Sequence, residues 1–359
     1  MQASETVLVL PGGYGDGPAF RDAALREGRQ VVGASSVRDD PAAQAYPAWT
    51  FLPHVSDPGF GAALEAAVEA HAVDEIHASH YAVWFHIKTA LPRLVEKVRL
   101  SLGRSNFDVE AEYARLRQLA AEPPAIEGLD AASEPQPPLT AVEAAGYLRA
   151  ALSIPGESYE PKLLAMIEVA RRTPQGDIVE IGSLFGRSAA FLALLSRRYG
   201  LGRILCIDPW SRDEIQQGDQ TLYEASRAYD WEAWRLAFEI NLAPFAEGRV
   251  NYIRGVTGDA EPLYASRAPV VTEAFGITGY EGRVALLHID GNHAFDQVKI
   301  DADAWVPKVV PGGWIVFDDY QWDWGDGPRR VADAFLAQAA AQVRTHFVAG
   351  RALFVQLHG

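Results

Sequence analysis

The chain has 359 residues, enough for two domains at roughly 150 residues each. Hydrophobic residues make up 48% and charged residues 22%, as in a water-soluble protein with a sizeable core. Thirty-two Lys and Arg against 47 Asp and Glu give a net charge of −15, which repels phosphate backbones and argues against nucleic acid as a partner. No apolar run approaches the roughly 18 residues of a membrane span, and Met1 to Glu5 lack the basic start of a signal peptide. One cysteine, Cys206, leaves no disulfide framework and no Cys-based zinc site within the chain. These features predict a cytoplasmic protein with no membrane partner.

Residues 5 to 96 alternate short apolar runs with helical patterns. Thr6 to Leu10 is a strand that runs into the turn Gly12-Gly13-Tyr14-Gly15-Asp16-Gly17, followed by a helix from Ala19 to Glu27. Gln30 to Gly33 and Val73 to His77 are further strands; Phe60 to His71 and Lys88 to Val98 are helices. This spacing predicts a small N-terminal α/β domain with a parallel sheet over residues 1–120. Its glycine turn lacks the dinucleotide fingerprint, and His71, His77, His80 and His86 show no metal-ligand spacing. Residues 99 to 120 are helical and polar in pattern. Residues 121–138 hold five prolines and no periodicity, so they form an extended linker or an irregular wrap.

A stronger α/β pattern covers residues 139–359. Strands are predicted at Asp177 to Ile181, Arg203 to Ile207, Val250 to Ile253, Val284 to Ile289 and Trp314 to Phe317. A helix follows at Val331 to Gln342. Thr345 to Val348 and Ala352 to Leu357 are then joined by so tight a turn that they must pair antiparallel.

Chemistry concentrates at the strand ends. Gly182 and Gly186, with Ser183 and Ser188, sit where the first of these strands turns into a helix. There the backbone can approach a ligand, and the helix N-terminus offers free N–H groups. The G-x-x-x-G spacing is not that of a dinucleotide site. Asp208 ends the next strand, where a carboxylate can accept both hydroxyls of a ribose. Asp290 ends the fourth strand, and Asp318 and Asp319 end the fifth. Three carboxylates at one edge repel one another unless a cation lies between them, and an all-oxygen set suits Mg²⁺. His293, three residues past Asp290, is placed to take a proton. Tyr320, Trp322 and Trp324 offer aromatic faces for a sugar or another ring to stack on, or else belong to the core or an interface.

Residues 153 to 357 resemble class I S-adenosylmethionine-dependent methyltransferases, and more narrowly the macrocin and mycinamicin type of metal-dependent sugar O-methyltransferase. The carrying segments are Ile154-Pro155-Gly156-Glu157, VEIGSLFGRS, CIDPW, HIDGNHAFDQVKIDADAW, VPGGWIVFDDY and the terminal hairpin. The resemblance implies a Rossmann-like sheet of five parallel strands with a C-terminal antiparallel hairpin. It implies that Glu180, Gly182 and Ser188 shape the cofactor loop and that Asp208 holds the ribose hydroxyls. Gly255 to Asp259, Thr257 among them, would border the adenine. Asp290, Asp318 and Asp319 would ligate Mg²⁺, with His293 or Asp290 as the base. Residues 1–120 instead resemble the nucleotide-binding-like N-terminal domain of ATP-grasp enzymes.

The implied function is Mg²⁺-dependent O-methylation of a vicinal diol, in a sugar of a glycosylated metabolite or of a glycan, by a homo-oligomer. Two alternatives stay open: methylation of a catechol-like or other small acceptor through the same site, and a non-catalytic protein that binds S-adenosylmethionine. A hydroxylase-like relative would need a redox centre for which no His/Cys set is present.

Overall fold

The computed structural model describes residues 4–214 and 220–359. The chain divides into two compact units, Met1–Arg115 and Leu116–Gly359. Among the described residues no helix is long and apolar enough to cross a membrane.

The first unit holds β1 (Thr6–Leu10), α1 (Gly17–Arg26), β2 (Gln30–Ser35), β3 (Ala48–Phe51), α2 (Phe60–His71), β4 (Glu75–Ala78), α3 (Tyr81–Ala90), α4 (Pro92–Val95) and β5 (Arg99–Leu102). Its five strands are parallel, in the order β3-β2-β1-β4-β5. Two differences from the sequence reading concern its end. The helix expected over 88–98 is broken at Leu91, because Pro92 has no N–H to continue it, and Arg99–Leu102 is an edge strand and not the start of a helix. The helix α5 (Asn106–Ala121) begins only after that strand.

The second unit continues with α6 (Ala141–Leu152), α7 (Glu160–Ala170), β6 (Asp177–Ile181), α8 (Arg187–Tyr199), β7 (Ile204–Asp208), α9 (Gln220–Ser226), α10 (Trp231–Ala246), β8 (Val250–Arg254) and α11 (Thr257–Ala265). The short hairpin β9 (Val270–Thr272) and β10 (Gly276–Thr278) precedes β11 (Val284–Ile289), α12 (Phe295–Trp305), β12 (Val309–Phe317), α13 (Gly327–Gln338), β13 (Val343–Ala349) and β14 (Ala352–Leu357). The sheet order is β13-β14-β12-β11-β6-β7-β8. The five strands from β12 to β8 are parallel, and β14 pairs antiparallel with both β12 and β13. The fold is therefore a Rossmann-like sheet, five parallel strands closed by an antiparallel hairpin, as the sequence predicts. The helix expected from Val331 starts earlier, at Gly327 with Pro328 in its first turn, a position where the missing N–H costs nothing. The proline-rich stretch lies on this unit: Ser133 N donates to Gln356 Oε1, Gln136 N to Arg171 O, and Thr345 Oγ1 to Gly128 O.

The β6, β7 and β11 strands are buried along nearly their whole length, as a parallel sheet covered on both faces requires. One face carries Phe191, Leu195, Phe238 and Trp314, the other Leu205, Leu287, Trp305 and Phe317. Within the second face α12 hides a carboxyl. Asp301 is 8% exposed and accepts from Thr257 Oγ1 on α11; burial pushes it up from 3.8 to about 6. A raised folded-state value means the native protein binds this proton more tightly than the unfolded chain. Asp301 therefore supports stability fully below about pH 4, and that support is lost as the pH rises through about 6. Asp301→Asn keeps an acceptor for Thr257 and removes the titration. In urea denaturation it is expected to be more stable than the parent at pH 7.5, by up to about 3 kcal/mol, and nearly unchanged near pH 4.

Candidate functional site

The carboxyl edge of the parallel strands is set by register. Ile181 pairs with Ile289 and Ile289 with Phe317, so Gly182, Asp290 and Asp318 follow in one row. The ladder extends one step past each strand: Asp290 N donates to Ile181 O, Asp318 N to Ile289 O, and Gly182 N to Ile207 O. This crowding demands glycine at 182, where φ is +82° and a Cβ would fall on the Asp290 carbonyl oxygen.

A cleft of about 600 Å³ opens on this edge. It is lined by the loop Gly182-Ser183-Leu184-Phe185 with Ser188 and Asp208, by Gly255 to Gly258, and by Asp290, His293 and Asp319. Asp208 braces the loop. Its Oδ2 accepts from the N–H groups of Ser183 and Leu184, both at 2.9 Å, and its Oδ1 from Trp210 N at 2.8 Å. Burial raises the Asp208 carboxyl, and these three donors pull against that rise. Trp210 Nε1 in turn donates to Leu184 O, and Asn241 Nδ2 to Phe185 O. Arg187 fixes the Pro155-Gly156 side of the cleft through the carbonyls of Ile154 and Ser158. Phe185, Tyr229 and Trp231 give it an aromatic wall, with Trp234 stacked on Tyr229 at 4.4 Å.

The residues singled out from the sequence fall into different places. Gly182, Ser183, Ser188, Asp208, Thr257, Asp290, His293 and Asp319 line the cleft. Gly186 caps α8 at φ +87°, its Cα packed so close to Leu242 that a side chain would collide. Glu180 lies beneath the loop, fully buried, where its carboxylate accepts from Ser183 Oγ at 2.7 Å and meets His288 Nδ1 at 3.1 Å. Tyr320 turns to α13, its hydroxyl donating to Asp333 at 2.8 Å. Trp322 stands edge-on to His293 at 4.5 Å, and Trp324 is 53% exposed.

The carboxylates are split into two sets. Asp290, His293 and Asp319 offer ligand atoms within 4.8 Å of one another, and so do His288, Asp290 and Asp318. His293 Nε2 lies 3.3 Å from Asp319 Oδ2 and 3.8 Å from Asp290 Oδ1. Burial raises Asp319, and the charge of Asp290 raises it further. Asp290 is held down at about 2: burial pushes it up, but Lys162, His293 and His288 outweigh that.

Two members of this network carried no signal in the sequence reading. Lys162, 2% exposed on α7, ion-pairs with Asp318 Oδ2 and reaches Asp290 Oδ2 at 3.5 Å. His288, fully buried on β11, bridges Glu180 and Asp318. The available hint was a charged or polar residue inside an otherwise apolar run, PKLLAMI in one case and VALLHI in the other.

Comparison with known proteins gives one partial match to a family model. A family model described as a methyltransferase domain matches residues 179–320. No curated protein matches the chain. Among solved structures, the O-methyltransferase NovP aligns at 16% identity over 71% of this chain and 99% of its own, with a TM-score of 0.43. CalS11, a TDP-rhamnose 3'-O-methyltransferase of calicheamicin biosynthesis, aligns at 19% identity over 71% of this chain and 96% of its own, TM-score 0.38. MycE from the mycinamycin pathway, in complex with Mg, SAH and mycinamycin VI, aligns at 16% over 61% and 58%, TM-score 0.36. The segment matched by the methyltransferase-domain model runs from within β6 to just past β12, the part of the sheet whose carboxyl edge carries the cleft.

Proposed function

We propose that this protein transfers the methyl group of S-adenosylmethionine to a hydroxyl of a small-molecule or glycan acceptor. The preferred acceptor is a vicinal diol in the sugar of a glycosylated natural product, with a divalent cation such as Mg²⁺ at the acid cluster. The observation that carries this reading is one cleft lined both by the glycine loop with Asp208 and by Asp290, His293 and Asp319. The residues fit a hard divalent cation. The carboxylates of Asp290 and Asp319 face one space with His293, and among the described residues both ring nitrogens of His293 are buried without a hydrogen-bond partner.

Methyl transfer is an in-line displacement at carbon, so alignment and a deprotonated hydroxyl are the demands on the protein. When bound, S-adenosylmethionine supplies the sulfonium methyl, and a divalent cation supplies Lewis acidity toward the acceptor hydroxyl. Asp208 fixes the loop through the N–H groups of Ser183 and Leu184, and its Oδ1, which accepts from Trp210 N, keeps a lone pair for a ribose hydroxyl. Asp290 and Asp319 are the carboxylates that would hold the cation. His293 Nε2, in the cleft beside Asp319, takes the proton of the acceptor hydroxyl, and the two carboxylates stabilise the imidazolium that forms. Phe185, Tyr229 and Trp231 shed water from the transfer path and give a ring a face to lie on. The same wall suits a flat aromatic acceptor, so an acceptor panel needs catechols beside sugars.

Calorimetry with S-adenosylhomocysteine tests the reading. Micromolar binding is expected, and Asp208→Asn is expected to weaken it at least about tenfold by loosening the loop and its ribose acceptor. A parent protein that binds none overturns the proposal. Once an acceptor is in hand, His293→Ala is expected to lower kcat by about 10²- to 10⁴-fold while S-adenosylhomocysteine affinity stays unchanged.

A further inference from the structure

The acid pair Asp318-Asp319 is not a pair of equivalents. Asp318 is 7% exposed and does not line the cleft. Its Oδ2 is shared by the Lys162 ammonium and His288 Nε2, the latter at 3.3 Å, and its Oδ1 accepts from Asp319 N at 2.9 Å. Both oxygens thus have partners inside the protein. Asp319 follows in the left-handed region, φ +49°, and its side chain opens into the cleft beside Asp290 and His293. Lys162 is itself committed. It lies on the buried side of α7, and Gly350, in the turn between β13 and β14, packs against its backbone. A lysine 2% exposed is tolerated only while paired, and withdrawing Asp318 toward the cleft would leave its ammonium only the longer 3.5 Å contact with Asp290 Oδ2.

We infer that Lys162 is a built-in cation that withholds Asp318 from any divalent ion, so that the cation site of the cleft is made by Asp290 Oδ1 and Asp319 Oδ2, with His293 beside them. Lys162 also approaches Asp290 Oδ2, which leaves Oδ1 as the oxygen facing Asp319 and His293. The assignment deepens the proposed function, since it concerns the cation of that same site.

Mn²⁺ is the probe, its binding to the full chain read from the electron paramagnetic resonance of the free ion. The parent is expected to bind one Mn²⁺, and Asp319→Asn to weaken binding at least about tenfold. The charge-balanced double substitution Lys162→Met with Asp318→Asn is expected to stay within about threefold of the parent. A double variant that loses Mn²⁺ as fully as Asp319→Asn does, or a parent that binds none, overturns the assignment. A second measurement needs no substitution in the pair. In protein labelled with nitrogen-15 lysine, a protected Lys162 ammonium signal that persists when Mg²⁺ saturates supports the assignment, and its disappearance on adding Mg²⁺ overturns it. Binding of S-adenosylhomocysteine is followed in the same samples. Its absence with Mn²⁺ binding intact would sink the methyl-transfer reading and leave this one standing.

Discussion

The register of β6, β11 and β12 is the constraint on which the rest of the second unit depends. Ile181, Ile289 and Phe317 end their strands side by side, and three further backbone hydrogen bonds bring Gly182, Asp290 and Asp318 into one row. A slip of one residue in β11 or β12 would turn the acid at its end to the opposite face, and a slip in any of the three would bury a different set of side chains. The glycine follows from the register: with Asp290 O packed against it, no residue with a Cβ fits at 182. The helix start of α8, the loop and the cleft inherit their positions from that row.

Beneath the row runs a chain of polar contacts: Ser183 to Glu180, Glu180 to His288, His288 to Asp318, Asp318 to Lys162, and Lys162 to Asp290. It begins at the loop and ends at the acid cluster. Every interior member has two partners, which a network in so dry a place requires, because an unmatched group there bears its whole desolvation cost. The loop and the acid cluster are therefore joined by ionic and hydrogen-bonded contacts as well as by strand pairing.

The sequence made most of this fold legible. Continuous apolar runs such as DIVEI and VALLHI, each closed by glycine or an acid, mark buried parallel strands, and the tight turn Ala349-Gly350 marks the closing hairpin. What escaped was short or non-local. The edge strands β3 and β5, four residues each, bury little and show no alternation, and Arg99–Leu102 merges into the helical pattern after it. At the site, the strand-end acids could be read because strand ends are where ligands bind in such sheets. Lys162 could not. A charged residue in a helix ordinarily points to water, and only the packing of α7 under the sheet edge sends this one inward.

The acid pair shows why neighbours in sequence need not share a task. In an extended strand, successive side chains point to opposite faces, so Asp318 and Asp319 were bound to diverge once β12 reached its end. The left-handed φ at Asp319 makes the divergence sharper: it costs about 1 kcal/mol for a residue other than glycine, and aspartate is among the few that tolerate it. That conformation turns the chain out of the sheet, so one carboxylate stays inside against Lys162 and the next faces the cleft. Burial then separates their chemistry. Asp318 is neutralised by a fixed ammonium, whereas Asp319, raised by burial and by Asp290 and drawn down by His293 and Lys162, faces the cleft. An internal cation for one acid and an exchangeable one for its neighbour allow a site to bind and release a charged ligand without exposing an unpaired charge in the core.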